Sequence, residues 1–237
     1  EVFYLRLYRN IPFWADAQAT IGDLVRHGIP TGQCTTIPCP PLSRVISKLP
    51  IKEHEPTFLF VSRIVKMKGI EEVIRAFSLI YKVLPAARLW VVGTGEEAYL
   101  YSLKNNLKLD HVQSRIKFFG YVSEDKKLLV MQKAHVLLHA SIKEGWGLVV
   151  LEAASQGTPA VVYDTHGLSE VVKHGETGIV VSDNSPQSLA REAVWLYEHP
   201  KQYQKYQTNG ITWVKSLRWE DVTKTSLSLI MNVYEKQ

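Results

Sequence analysis

The chain has 237 residues, 46% apolar and 22% charged, with 14 Gly, 11 Pro and 2 Cys; these proportions exclude collagen-like, low-complexity, disulfide-framework and intrinsically disordered chains. The length supports a packed core, and no run of about 18 apolar residues is present for a membrane-spanning helix. The net charge of +5 favours an anionic partner, but the cations are scattered and no helix-turn-helix, zinc-finger or RNP-type signature is present, which sets nucleic acid aside.

Residues 1–14 carry Arg6, Arg9 and Pro12 through their apolar stretch and do not read as a signal peptide. An amphipathic helix is expected over 15–27, stopped by Gly28-Ile29-Pro30, and then a strand over 34–39. Cys34 and Cys39 have no further Cys or His at zinc spacing and read as reduced thiols of a cytosolic protein. Residues 39–56, with Pro40, Pro41, Pro50 and Pro56, have linker composition, and Glu53-His54-Glu55 within them reads as solvated charge. From Thr57 onward, short apolar runs alternate with helical stretches. A strand over 57–63 precedes a helix with Ile70, Val73, Ile74, Phe77, Ile80 and Tyr81 on one face. Next come a strand over 88–93, a helix to about Asn106, a strand over 115–120 and a helix from Ser123 with Glu124 and Asp125 in its first turn. A strand over 134–140, a helix near 147–156 ended by Gly157, and strands over 159–163 and 177–182 follow. Pro186 and Pro200 open two more helices, and Trp219-Glu220-Asp221 opens the last. Continuous apolar runs are the pattern of strands buried on both faces, so the predicted architecture is α/β, with a doubly wound, Rossmann-like parallel sheet.

In such sheets ligands bind outside the carboxyl ends of the strands, which singles out four loops. In SIKEGWGLVVLEAASQG, residues 141–157, a strand ends, Glu144 precedes Gly145-Trp146-Gly147, and a helix begins that carries Glu152. Glycines at a helix start let backbone N–H groups approach an anion, and Glu144, Leu148 and Glu152 at four-residue spacing fall on one side. Carboxylates accept hydrogen bonds from sugar hydroxyls, so this pattern suits a phosphate held between two polyols. After the first strand, Arg63 and Lys68 bracket a strand-to-helix turn, where both cations can aim at one diphosphate. No Asp-x-Asp is present for a divalent-metal route to the same end. The loop from Gly93 spells G-x-G-x-x-A, but Glu96 and Glu97 stand where a pyrophosphate must lie, against an NAD or FAD fingerprint. The fourth loop, at Gly120, has backbone that could line a flat base. Each loop taken alone also reads as ordinary turn and helix-surface chemistry. His135 and His139 share one strand without metal partners and read as core histidines. His166 lacks the Gly-x-Ser-x-Gly elbow of a hydrolase triad.

Together, FVSRIVKMKGIEEVIRAF, VVGTGEE, IKFFGYVSEDKK, HASIKEGWGLVVLEAASQGTPAVVYDTHGLSEVV and HGETGIVV resemble the carboxyl-terminal, donor-binding half of the retaining group 1 (family four) glycosyltransferases of the GT-B fold, over nearly all of 57–183. The centrepiece is the pair Glu144 and Glu152 within EGWGLVVLEA, with Arg63 and Lys68 upstream. The resemblance implies that 1–38 are the tail of an amino-terminal acceptor domain, 39–56 a linker, 57–217 the nucleotide-sugar domain and 218–237 a helix crossing back. It implies that Arg63, Lys68 and Glu144 carry the catalysis, with the two cations on the donor diphosphate. Glu152 would hold the ribose hydroxyls, while Glu144 and the backbone of Gly145, Trp146 and Gly147 would meet the transferred sugar and the phosphate. Backbone around Tyr121 and Val122 would face the base, and Leu148 and Gly93 complete the donor-binding set. The implied partners are a UDP- or GDP-sugar and a glycan or lipid acceptor, without metal, cofactor or nucleic acid. The implied setting is the cytoplasm, with room for peripheral association at the inner face of the membrane. The expected reaction is hexosyl transfer with retention, this chain alone being inactive in transfer. A nucleotide-sugar binding module without turnover, and an epimerase or hydrolase of the same fold, stay open as alternatives. Trp146, where the family often has Phe, and His166-Gly167, where it often has Gly-Gly, depart from the commonest pattern.

Overall fold

The run Thr-Phe-Leu-Phe-Val puts Phe58 and Phe60 on one face of a pleated strand and Leu59 and Val61 on the other. All four are buried in the computed structural model, which describes residues 2–8, 10–106 and 112–234. Glu1, Arg9 and the end of the last predicted helix, 235–237, lie outside the described residues. A strand apolar on both faces needs a covering layer on each side, and the rest of the chain supplies them. In chain order the elements are α1 (Val2–Leu7), β1 (Phe13–Ala15), α2 (Gln18–Arg26), β2 (Cys34–Thr36), β3 (Thr57–Val61), α3 (Ile70–Val83), β4 (Arg88–Val92), α4 (Glu97–Asn106), β5 (Ile116–Gly120) and α5 (Glu124–Lys133). There follow β6 (Val136–His139), α6 (Leu148–Ser155), β7 (Ala160–Val162), α7 (Leu168–Val171), β8 (Gly178–Val180), α8 (Pro186–Glu198), α9 (Pro200–Ser216) and α10 (Trp219–Tyr234).

Strands β3 to β8 form one parallel sheet in the order β5-β4-β3-β6-β7-β8. The chain winds outward from β3 to β5, then returns to the other side of β3 with β6. That reversal is the switch point of a Rossmann-like sheet and lies between β3 and β6. Phe58 and Phe60 pack with Val73 and Phe77 of α3, Leu103 of α4 and Leu189 of α8. On the opposite face Leu59 and Val61 pack with Val130 of α5, Leu151 of α6 and Val214 of α9. No helix among the described residues is long and apolar enough to cross a membrane.

The amino-terminal segment differs from its sequence reading. The helix expected over 15–27 starts at Gln18, because Phe13–Ala15 is a strand paired in parallel with Cys34–Thr36, where the strand expected over 34–39 also stops. Ala17 gives α2 no side-chain cap. The carboxylate of Glu170 in α7 takes that role, accepting from the Gln18 and Ala19 N–H groups at 2.7 Å each. A cap supplied by a residue so distant in sequence is invisible to any local signal. Residues 39–56 hold no helix or strand, but they are fastened to the domain rather than hanging free. Ile46 N–H donates to Ser155 O at 3.0 Å, Glu53 N–H to Lys133 O at 2.9 Å, and Lys52 Nζ to Gly157 O at 2.8 Å.

His135 is expected to make the domain acid-sensitive. Its Nδ1 accepts the Thr57 N–H at 3.0 Å and its carbonyl accepts the Tyr203 hydroxyl at 2.8 Å. Burial, and secondarily the Lys52 charge, pushes the imidazole from 6.5 down to about 4. Between those values the unfolded chain binds the extra proton and the folded chain does not, so stability falls as pH drops through that window. The expected loss is up to about 3 kcal/mol between pH 6.5 and pH 4. Urea denaturation across that range should show it, and His135→Asn, which keeps an acceptor but cannot titrate, should flatten the slope. An unchanged slope in the variant would remove His135 as the cause.

Candidate functional site

The loops leaving β3 and β6 flank the switch point. After β3 the chain forms a single 3-10 turn, Lys66–Lys68, before α3 begins. This turn is clamped to the β6 loop, because Met67 O accepts the Ile142 N–H at 3.0 Å and the Ser141 hydroxyl at 3.2 Å. Lys68 is thereby carried across the switch point, and its Nζ meets Glu144 Oε1 at 2.6 Å with side-chain exposures of only 13% and 12%. His139, the last residue of β6, reaches the same oxygen from Nε2 at 3.1 Å. Burial opposes ionisation of Glu144, but the hydrogen bonds from His139 and Lys68 outweigh it and hold the carboxyl below its usual range. Arg63 is exposed and has no side-chain hydrogen bond or ion pair among the described residues, so its guanidinium is available to an anion.

Glu144 precedes the helix rather than lying on it. Gly147 adopts φ 73°, ψ 43°, and α6 starts only at Leu148. The left-handed turn favours glycine, and a Cβ on Gly147 would also press on the Leu168 and Val171 side chains at 3.1 and 3.2 Å. The expected four-residue spacing on one helix side therefore holds for Leu148 and Glu152 and fails for Glu144, whose place is set by the loop and its two donors. The N–H groups of Leu148 and Val149 have no acceptor among the described residues, and Gly145 is exposed, which leaves a helix end open to an anion. Trp146 turns its ring inward, 5% exposed, and donates Nε1–H to Cys39 O at 2.9 Å, so only its backbone remains for a ligand.

The second carboxylate has a partner that the sequence reading missed. Glu152 Oε2 is 2.8 Å from Lys127 Nζ in α5, which also pairs with Glu124 at 2.9 Å. Burial works against the Lys127 ammonium, but hydrogen bonds to Glu152 and Glu124 prevail and raise its pKa. Backbone bonds join the neighbouring loops into one platform: Ser62 N–H to Val92 O at 3.1 Å, Ile64 N–H to Thr94 O at 2.7 Å and Gly93 N–H to Gly120 O at 2.9 Å. Gly93 is thus an internal joint of that platform, Tyr121 stands 85% exposed at its far end, and Val122 packs partly into the core. Lys68 and Glu144 are in direct contact, Arg63, close by in sequence, has no side-chain partner among the described residues, and Glu152 sits with Lys127 and not with Glu144. His139 is a core histidine as expected, 1% exposed, and in addition a partner of Glu144, which its strand position alone did not signal. An apolar cleft of about 420 Å³ lies between α3 and α8, lined by Leu79, Val83, Ala190 and Trp195. Its lining comes from helices and offers no open loop N–H groups, which are found instead at the switch point. No cluster of three or more His, Cys, Asp or Glu suited to a metal is present among the described residues.

Residues 43–213 match the family of glycosyl transferases group 1. The chain belongs to that family. This group 1 glycosyl transferase chain is 36% identical over 143 residues to an uncharacterised glycosyltransferase of Methanocaldococcus jannaschii, covering 59% of this chain and 35% of that one. It is 29% identical over 167 residues to the poly(glycerol-phosphate) alpha-glucosyltransferase of Bacillus subtilis, covering 70% of this chain and 24% of that protein. It therefore spans about a third or less of the length of these relatives. Among solved structures, sucrose-phosphate synthase from Thermosynechococcus elongatus aligns with a TM-score of 0.82 at 22% identity, over 100% of this chain and 63% of the other. Anabaena HepE, solved with UDP-glucose, aligns at 0.80 and 19%, over 99% and 68%. These likenesses establish the fold, a Rossmann-like half of GT-B type.

Proposed function

We propose that this chain is the donor-binding part of a retaining glycosyltransferase that moves a hexose from a UDP- or GDP-sugar to a glycan or lipid acceptor. The observation that carries the reading is the presence, in the loops at the switch point, of an ion-paired Lys68 and Glu144, with Arg63 and the α6 N-terminal N–H groups left without partners among the described residues. In this reading Arg63 and Lys68 bind the donor diphosphate, the α6 N–H groups take the phosphate next to the sugar, and Glu144 meets the sugar hydroxyls. Glu152, one oxygen held by Lys127, turns the other to the ribose, and the platform edge at Tyr121 and Val122 faces the base. During transfer, negative charge grows on the departing nucleoside diphosphate. Fixed cations and N–H groups at that point stabilise it, each worth about 3 kcal/mol. Residues 57–217 make up this donor domain, and 1–38 and 218–237 belong to the side facing the acceptor domain. Transfer needs an acceptor site beyond these residues, so the chain alone binds donor and does not transfer efficiently. A lipid acceptor would bring the cytoplasmic protein to the inner face of the membrane.

Because side-chain cations supply the positive charge, calorimetric binding of UDP or GDP is expected to persist in EDTA with less than about a threefold change in affinity. Affinity that disappears on chelation would overturn the assignment of Arg63 and Lys68.

A further inference from the structure

We infer that His139 is a positioning residue for Glu144: its Nε2–H and the Lys68 ammonium both land on Oε1, so Oε2 is the oxygen presented to the transferred sugar. The inference rests on the donor-site reading above and extends it to a residue outside the glycine loop. His139 cannot swing away. Its backbone pairs with Val162, its carbonyl accepts the Tyr163 N–H at 3.0 Å, and its ring is 1% exposed with Phe60 edge-on at 6.2 Å. An ionised carboxylate only accepts hydrogen bonds, so the hydrogen sits on Nε2. Nδ1 is buried without a partner among the described residues, and an N–H there would be an unsatisfied donor. Buried structural histidines ordinarily satisfy both nitrogens; this one leaves one bare and aims the other at Glu144. Both donors fall on Oε1, and Oε2 has none among the described residues. Lys68 is a point charge on a flexible stem and would hold either oxygen equally well. The rigid imidazole is what selects one oxygen and stops the carboxylate from rotating.

The test has two arms. In ¹⁵N spectra of the ligand-free chain, His139 is expected as the Nε2–H form coupled to Glu144, and an Nδ1–H form would overturn the inference. In calorimetry, UDP and UDP-glucose, and GDP and GDP-mannose, are compared for the wild type, His139→Leu, His139→Gln and Glu144→Gln. His139→Leu should reduce the preference for sugar nucleotide over free nucleotide about tenfold, leave free-nucleotide affinity unchanged, and add nothing to Glu144→Gln. His139→Gln, which keeps a donor near Nε2, should restore most of the preference. Equal loss on both ligands, no restoration by Gln, or a loss additive with Glu144→Gln would make the role merely structural. If His139→Leu does not fold, the Gln variant and the spectra decide. If the wild type binds none of the four probes, the donor reading fails, while the tautomer still tests the His139–Glu144 geometry.

Discussion

Gly93→Ala is expected to destabilise the domain by more than about 4 kcal/mol, beyond the range of ordinary substitutions. Gly93 has φ 133°, a region essentially closed to side chains, and a Cβ there would overlap the carbonyl oxygen of Ser62. The overlapped atom is backbone, so no rotamer change relieves it. Ser62 cannot retreat easily, because its own N–H is bonded to Val92 O at 3.1 Å and Gly93 N–H is bonded to Gly120 O at 2.9 Å. Gly120 supplies the control: it has φ 69° with no atom within 4 Å of its Cβ position, so alanine there should cost only about 1–2 kcal/mol. Urea denaturation of the two variants compares them directly, and equal stabilities would show that the loops after β3 and β4 are not in rigid contact. Since Ser62 leads into Arg63, the same variant should also blunt nucleotide binding in whatever fraction stays folded.

The difference between those glycines was not legible from sequence, though both stood out as loop glycines. What was legible was periodic: TFLFV, RLWVV and VLLH carry apolar residues on both faces, and that pointed to a parallel sheet covered on both sides. The glycine-rich turn before α6 and the cation pair after β3 were also readable, since each depends on residue type at short spacing. Illegible were the contacts made by residues far apart in the chain. Glu170 caps α2 across 152 positions, and Lys127 answers Glu152 from another helix. His139 lies in an apolar strand, so its sequence context argues only for burial, while its contact with Glu144 comes from a loop doubling back over the strand end. Phe13–Ala15 is too short to announce a strand, and it exists because Cys34–Thr36 pairs with it. Tertiary partners decide such cases, and local patterns carry no record of them.

The two cations of the switch point should separate when each is replaced by methionine. Arg63 is exposed and unpartnered among the described residues, so Arg63→Met should leave stability within about 0.5 kcal/mol of the wild type. Lys68 neutralises a carboxylate that is only 12% exposed, so Lys68→Met leaves Glu144 with His139 alone and should cost about 2 kcal/mol. The cost should depend on pH with a definite sign. The folded Glu144 carboxyl titrates below its ordinary value, so the stability supplied by the pair is present above that value and is lost as pH falls through the folded one. The gap between wild type and Lys68→Met should therefore be widest near neutrality and close in acid, where Glu144 is protonated in both proteins. Binding should respond differently, since both cations are assigned to one diphosphate. Each variant should lose about tenfold to hundredfold in UDP or GDP affinity, the effect of removing one charge-assisted contact worth about 1.5–3 kcal/mol. Thermal or urea denaturation across pH, run beside calorimetry, separates the two effects. If Lys68→Met lowers stability without touching nucleotide affinity, then Lys68 is a structural counter-ion of Glu144 and the diphosphate must be held by other groups; if Arg63→Met destabilises as much as Lys68→Met, then Arg63 has a structural role and its assignment as a free cation for the diphosphate falls.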